Sequence, residues 1–233
     1  MESIDKLKGT FEKKIENDAS RPYVSGAVVK RLPRYHRYLG ELLRTGTLRI
    51  SSQELSRLMS VTASQIRQDL NCFGGFGQQG YGYNVKYLYG KISELLGVGE
   101  GYRAVIIGAG NLGRALASTT MFERRGVTRV AMFDVDEHLI GTRICDTPVY
   151  DICELEEFCK SERIDIGIVC VPKERAQEIT ATLIAGGVRG IWNFANTEIA
   201  IRTEGVVVEN IHLGDSLMKL CYEIKTLGEE GEK

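Results

Sequence analysis

The chain has 233 residues, 43% of them apolar and 26% charged, with a net charge of −1, which is material for one large or two small cored domains. No run of about 18 apolar residues is present to span a bilayer, and the polar first residues lack the apolar core of a secretory signal, so a soluble, cytoplasmic protein without a membrane partner is expected. The six cysteines (Cys72, Cys145, Cys153, Cys159, Cys170 and Cys221) form no C-x-x-C pair and no zinc spacing with histidine, which assigns no metal and predicts reduced, partly buried thiols.

Charge is unevenly shared: residues 1–90 carry 14 Lys+Arg against 8 Asp+Glu, and the remainder 16 against 23. A basic half beside an acidic half predicts two domains, the first facing a polyanion. Residues 1–25 alternate charges with few apolar side chains and are expected to form a polar leader, frayed or disordered. From Gly26 to Thr45, Val29, Leu32, Tyr35, Leu39, Leu42 and Leu43 recur at helical spacing. Lys30, Arg31, Arg34, Arg37 and Arg44 crowd the rest of that surface, and Pro33 is placed to start or kink the helix. Ser51-Ser52-Gln53-Glu54 and Thr62-Ala63-Ser64-Gln65 both fit the capping box, with a short turn near Met59 to Val61 between the helices they begin. That is helix-turn-helix grammar.

The second of these helices points Ile66, Leu70 and Phe73 toward a core and Ser64, Gln68 and Asn71 outward, flanked by Gln65 and Arg67. Small and amide side chains suit base edges in a major groove, and Arg67 suits phosphate or guanine; an ordinary solvated face has the same pattern. Glycines then alternate with aromatics from Phe73 to Tyr83, predicting a hairpin wing with Gln78-Gln79 at its tip. The expectation is a winged-helix DNA-binding domain over 26–85. A connecting helix and linker follow over 86–100, where Gly97-Val98-Gly99 marks the boundary.

Ala104 to Ile107 is a continuous apolar run suited to a parallel strand covered on both faces. It leads into Gly108-Ala109-Gly110-Asn111-Leu112-Gly113, the G-x-G-x-x-G spacing of a dinucleotide turn. In that turn the first glycine bends the chain, the second admits a pyrophosphate and the third lets the helix pack on the sheet. The helix start offers free N–H groups to the phosphates. A second apolar strand, Val130 to Phe133, ends in Asp134, 21 residues after Gly113, where an acid that bonds the ribose 2′-hydroxyl is expected; Asp136 is a second candidate. A carboxylate there repels a 2′-phosphate and favours NADH/NAD+. The alternative is a fold of this type that is empty or holds another nucleotide ligand such as coenzyme A.

Strand and helix continue to alternate through the strand Ile166–Val171 ending at Pro172, the helix Ala176–Ala185 stopped by Gly186-Gly187, and the strands Gly190–Ala195 and Val206–Val208, predicting an α/β Rossmann domain over 101–212. The Val171-Pro172 and Asn193-Phe194 corners, at carboxyl ends of strands, are candidates for the nicotinamide pocket; Phe194 fits a core position equally well. Over 213–227, Leu213, Leu217, Leu220, Cys221, Ile224 and Leu227 form a helical apolar stripe. It must bury against its own domain or a partner subunit.

Taken together, these motifs closely resemble the Rex family of repressors that sense the NADH/NAD+ balance, across about Val24 to Leu227. The carriers in the first half are Lys30-Arg31-Leu32-Pro33, Tyr38-Leu39, Ser51-Ser52-x-Glu54-Leu55, Gln65-Ile66-Arg67-x-Asp69-Leu70 and the Phe73 to Val85 glycine-aromatic run. In the second half they are Gly108 to Ala115, Phe133-Asp134-Val135-Asp136, Val171-Pro172 and Asn193-Phe194-Ala195. The resemblance implies a homodimer whose C-terminal helix is swapped between the partner's domains, with NADH on the glycine turn. It also implies a palindromic double-stranded operator that NADH binding releases.

The sequence departs from the family pattern at Gln68 and at Gln78-Gln79, where the family is usually basic. Fewer charges there weaken phosphate attraction, while glutamine still reads adenine. In the switch the resemblance implies, Arg37 matches the family's Arg, but His212 stands for its Asp and Thr119 for its Tyr. A divergent paralogue with altered DNA binding or switching is therefore the alternative. An NAD-dependent oxidoreductase is the other rival. The Rossmann half leaves no room for a substrate domain, and its histidines, His138 and His212, have no evident partner, so no catalytic residue is assigned.

Overall fold

The computed structural model describes residues 24–72, 77–78, 82–201 and 203–231. They fall into two compact units that divide after Val98. In the first unit, α1 (Gly26–Val29) and α2 (Leu32–Arg44) take the place of the single helix expected over 26–45. Pro33 is the reason. Its ring clashes with a carbonyl one turn back inside a helix, whereas in the first turn its missing N–H costs nothing.

After β1 (Arg49–Ile50) come the paired helices α3 (Ser52–Met59) and α4 (Ala63–Asn71). They are followed by β2 (Gly77–Gln78), β3 (Gly82–Asn84) and α5 (Val85–Leu95). The turn between α3 and α4 is made by Ser60 at φ 50°, a left-handed residue without glycine's ease. The three strands pair antiparallel in the order β1-β3-β2, with Gln78 opposite Gly82 as the last paired position. Gln78 thus belongs to the ladder, and Gln79 lies outside the described residues. Gly82 has φ +68°, and a Cβ there would stand 2.7 Å from the Ile50 carbonyl oxygen, so the wing's second strand needs glycine at this crossing. Leu32, Tyr35, Leu39, Leu55, Ile66, Leu70, Val85 and Leu88 are buried in one core under this sheet and helix set.

The second unit is a seven-stranded sheet in the order β10-β9-β8-β4-β5-β7-β6. It contains β4 (Tyr102–Ile107), β5 (Val127–Asp134), β6 (Arg143–Ile144), β7 (Thr147–Asp151), β8 (Ile166–Val169), β9 (Gly190–Asn193) and β10 (Val207–Asn210). All neighbours are parallel except β6 and β7. That hairpin turns on Cys145 and Asp146, both at positive φ, without the Asn-Gly signature that would have marked it in the sequence.

The helices of this unit are α6 (Asn111–Ala117), α7 (Leu155–Glu162), α8 (Lys173–Ala185) and α9 (Leu213–Gly231). One sheet face packs on α7 and α8 through Val105, Ile107, Leu155, Ala176 and Leu183. The other carries Ile106, Met132, Ile168 and Ala117 of α6. Among the described residues α6 is the main helical cover on that side, and Trp192 and Phe194 remain only partly buried there. Along α9, Leu213, Leu217, Leu220, Ile224 and Leu227 are each more than half exposed. Of the cysteines, Cys159 is buried, Cys72 and Cys170 are half-buried, and Cys145, Cys153 and Cys221 are exposed, a wetter distribution than expected. No described helix is long and apolar enough to cross a membrane.

Candidate nucleotide and nucleic-acid sites

The three glycines of the turn after β4 meet different surroundings. Gly108 has φ +97°, and a Cβ on it would lie 2.5 Å from the Cys170 carbonyl oxygen. On Gly113 it would lie 1.9 Å from the Gly108 carbonyl oxygen, inside the contact of helix with strand end. Gly110 differs, since nothing stands within 4 Å of where its side chain would be. That open space is what a ligand's backbone approach needs.

Asp134, at the end of β5, leans onto this turn. One carboxylate oxygen accepts the Ala109 N–H at 2.5 Å, and the other accepts the N–H groups of Val135 (2.7 Å) and Asp136 (3.0 Å). These bonds fix the carboxylate beside the turn and leave it lone-pair capacity for further donors. Asp136 is exposed and accepts the His138 N–H at 2.9 Å. Asn111 is exposed and Leu112 half-buried at the helix start.

Backbone bonds from Cys170 to Ile107 and from Phe194 to Val169 bring the ends of β4, β8 and β9 into line. Val171 therefore abuts the glycine turn, with a methyl 3.4 Å from a Cβ placed on Gly108, and Pro172 is exposed beside it. Phe194 is half-buried and packs edge-on to Trp192, ring centroids 4.6 Å apart. The expectation for Asn193 needs correction. It is fully buried, its amide nitrogen donates to Thr197 O and Asn210 Oδ1 at 2.8 Å, and its oxygen accepts the Ala195 N–H at 2.9 Å. Its side chain shapes the corner and is not presented to a ligand.

In the first unit, Ser51 and Glu54 form the complete capping box that opens α3. Thr62 caps α4 through the Gln65 N–H at 3.1 Å, but the reciprocal half is absent. Gln65 turns its amide elsewhere, donating to Asp69 Oδ1 at 2.7 Å. Asp69 was not singled out as a site residue, yet it is buried at the centre of a network. It also accepts Arg31 Nε and Nη2, both at 2.7 Å, and the Tyr35 hydroxyl at 2.9 Å.

Burial pushes the Asp69 carboxyl up, but the bonds from Arg31, Gln65 and Tyr35 outweigh it and hold the group below the usual carboxylate range. Two expectations are corrected in consequence. Arg31 is a structural cation and not part of the free basic surface, and Gln65 is drawn along the helix toward the protein. Ser64, Arg67, Gln68 and Asn71 are exposed on α4, and Arg67 Nη1 reaches Ser52 Oγ at 3.2 Å.

The remaining candidates each have a local partner. Arg37 is exposed, its guanidinium 5.2 Å from the Tyr38 ring centroid. Thr119 donates its hydroxyl to Leu116 O at 3.0 Å. His212 Nε2 lies 3.6 Å from Glu198 Oε1, so a carboxylate stands at the corner where the residue itself is a histidine.

The chain matches the family model of a CoA binding domain over residues 99–197 and that of a putative DNA-binding protein N-terminus over residues 23–71. It is 54% identical over 201 residues to the redox-sensing transcriptional repressor Rex of Clostridium botulinum (strain Eklund 17B / Type B), covering 86% of this chain and 95% of that one. Against the protein of the same description from Thermoanaerobacter sp. (strain X514) it is 50% identical over 206 residues, 88% of this chain and 92% of the other. Among solved structures it is similar to RSP in complex with β-NAD+ and operator DNA, at 48% identity and TM-score 0.82 over 90% of this chain and 96% of that one. It is likewise similar to RSP in complex with β-NADH, at 46% identity and TM-score 0.82 over 90% and 98% of the two chains.

Proposed function

We infer the function from one premise: this chain belongs to the Rex family of redox-sensing transcriptional repressors. It is a DNA-binding regulator that takes NAD+ and NADH and binds operator DNA, and it is not an enzyme. The observation that carries the nucleotide half is the open space over Gly110 beside the fixed Asp134 carboxylate. In the proposed mode the pyrophosphate lies on the turn from Gly108 to Gly113 and Asp134 accepts the adenosine ribose hydroxyl. The nicotinamide lies among Val171, Pro172 and Phe194. Apolar groups there disfavour the positively charged ring of NAD+ relative to NADH, which supplies the differential affinity a switch needs.

Ser64, Arg67, Gln68 and Asn71 of α4 are proposed to enter the major groove, with the wing at Gln78-Gln79 on the neighbouring backbone or minor groove. A palindromic operator calls for a two-fold dimer. Its support is chemical. The exposed stripe of α9 needs a cover, while the α6 side of the sheet leaves Trp192 and Phe194 partly bare, so each subunit offers both a donor helix and an acceptor face. Arg37, Thr119 and His212 are proposed as the switch residues, with Glu198 supplying the carboxylate that His212 lacks.

Fluorescence anisotropy of a palindromic operator and of a scrambled duplex, at fixed salt, tests the whole reading. Specific binding that NADH reverses is the expected result. Specific binding indifferent to NADH would locate a lost switch at His212 and Thr119, and absent specific binding would favour the divergent-paralogue alternative built on Gln68, Gln78 and Gln79.

A further inference from the structure

We propose that Arg114 is a phosphate-binding residue of the glycine turn, setting how much dinucleotide the protein requires without setting which redox form it prefers. The proposal rests on the dinucleotide reading above and adds a residue that the sequence motif does not assign. Arg114 stands on α6 directly after Gly113, and its side chain runs back toward the helix start, the direction helical side chains take. Its Nε donates to the Ala109 carbonyl at 2.7 Å. The N–H of the same residue is held by Asp134. Ala109 is thus clipped from both ends, by an acid on one side and a guanidinium on the other.

That tether uses one of the five guanidinium donors. Arg114 is exposed, and among the described residues no carboxylate claims it. It is also the single cation between Ala104 and Ala117. A pyrophosphate brings negative charge to a turn where Asp134 already holds another, and backbone N–H groups are neutral donors. A guanidinium pinned at the turn offsets that charge, and its remaining fork matches phosphate oxygens in pairs.

NADH and NAD+ share the pyrophosphate and differ only at the nicotinamide. A contact common to both lowers both dissociation constants by one factor and leaves their ratio untouched. Arg114 therefore acts on the working concentration of the sensor, while residues around the nicotinamide act on its redox threshold.

The test is calorimetric titration of the full chain and of its Arg114→Gln and Arg114→Lys variants with NADH, NAD+, ADP-ribose and adenosine, alongside melting curves without ligand. Arg114→Gln should weaken the three pyrophosphate ligands by a common factor of about 10, the worth of one charge-assisted bond, and leave adenosine unchanged. Arg114→Lys should recover part of the loss. Unchanged affinities in Arg114→Gln would reduce Arg114 to a backbone tether, and a loss confined to one redox form, or shared by adenosine, would overturn the phosphate assignment. Failure of the wild-type chain to bind NADH and NAD+ would instead remove the dinucleotide reading, and this proposal with it.

Discussion

At the scale of single residues, Asp69 ties Arg31, Tyr35 and Gln65 of the first unit into one network. Asp69→Asn leaves Arg31 facing a neutral amide, and should cost about 3 kcal/mol in chemical denaturation. That is the low end for a half-broken buried pair, because 29% of the Arg31 side chain stays in water. Tyr35→Phe removes one bond and should cost about 1 kcal/mol. The sign of the pH effect follows from the depressed carboxyl. Asp69 contributes fully above its unfolded value of about 3.9 and loses that contribution as pH falls through the lower folded value. Wild type should lose stability faster than Asp69→Asn between about pH 5 and pH 2, and the two curves should converge in acid. Little of this was legible beforehand. Gln65 and Asp69 are four apart on one helix and predictable as neighbours, but Arg31 and Tyr35 are 38 and 34 residues distant, and no local periodicity reports such a meeting.

Elements were more legible, because caps and glycine turns are local. Ser51-x-x-Glu54 closed as its spacing required, while Thr62-x-x-Gln65 closed only halfway: the Gln65 side chain runs along the helix so that its amide nitrogen donates to the buried Asp69 carboxylate, and its oxygen is not turned back to accept the Thr62 N–H. The glycine turn separates folding from binding. Gly113→Ala forces a methyl against the Gly108 carbonyl and should cost about 2 kcal/mol or more. Gly110→Ala meets only open space, so it should melt like wild type yet lose NADH affinity in calorimetry. An unchanged NADH affinity would place the pyrophosphate elsewhere. On α4, Gln68→Lys should tighten operator binding and steepen the dependence of log K on log salt by about 0.9 for each additional phosphate neutralised. An unchanged slope would show that position 68 does not face the backbone.

At the scale of the whole molecule, the alternation of strand and helix and the glycine break near Val98 were visible in the sequence, whereas the small β6–β7 hairpin was not. Its Cys145-Asp146 turn adopts positive φ without the residues that normally advertise it. The stripe on α9 was also visible, though periodicity does not say what covers it. Leu217→Asp combined with Leu220→Asp should give a monomer in analytical ultracentrifugation and weaken binding to the palindrome far more than to a half-site. A dimer that survives both changes would move the interface off α9.

The partly bare side of the sheet, with Val207 68% exposed on β10 and Trp192 half-covered on β9, has a bearing on protein lifetime. In the proposed dimer a partner covers this side, and the folded population then depends on the protein's own abundance. Newly made chains at low copy number would spend longer open to proteases than chains made in plenty. Turnover would therefore trim scarce regulator and spare abundant regulator, giving the amount of active protein a sharper dependence on gene dosage than synthesis alone provides.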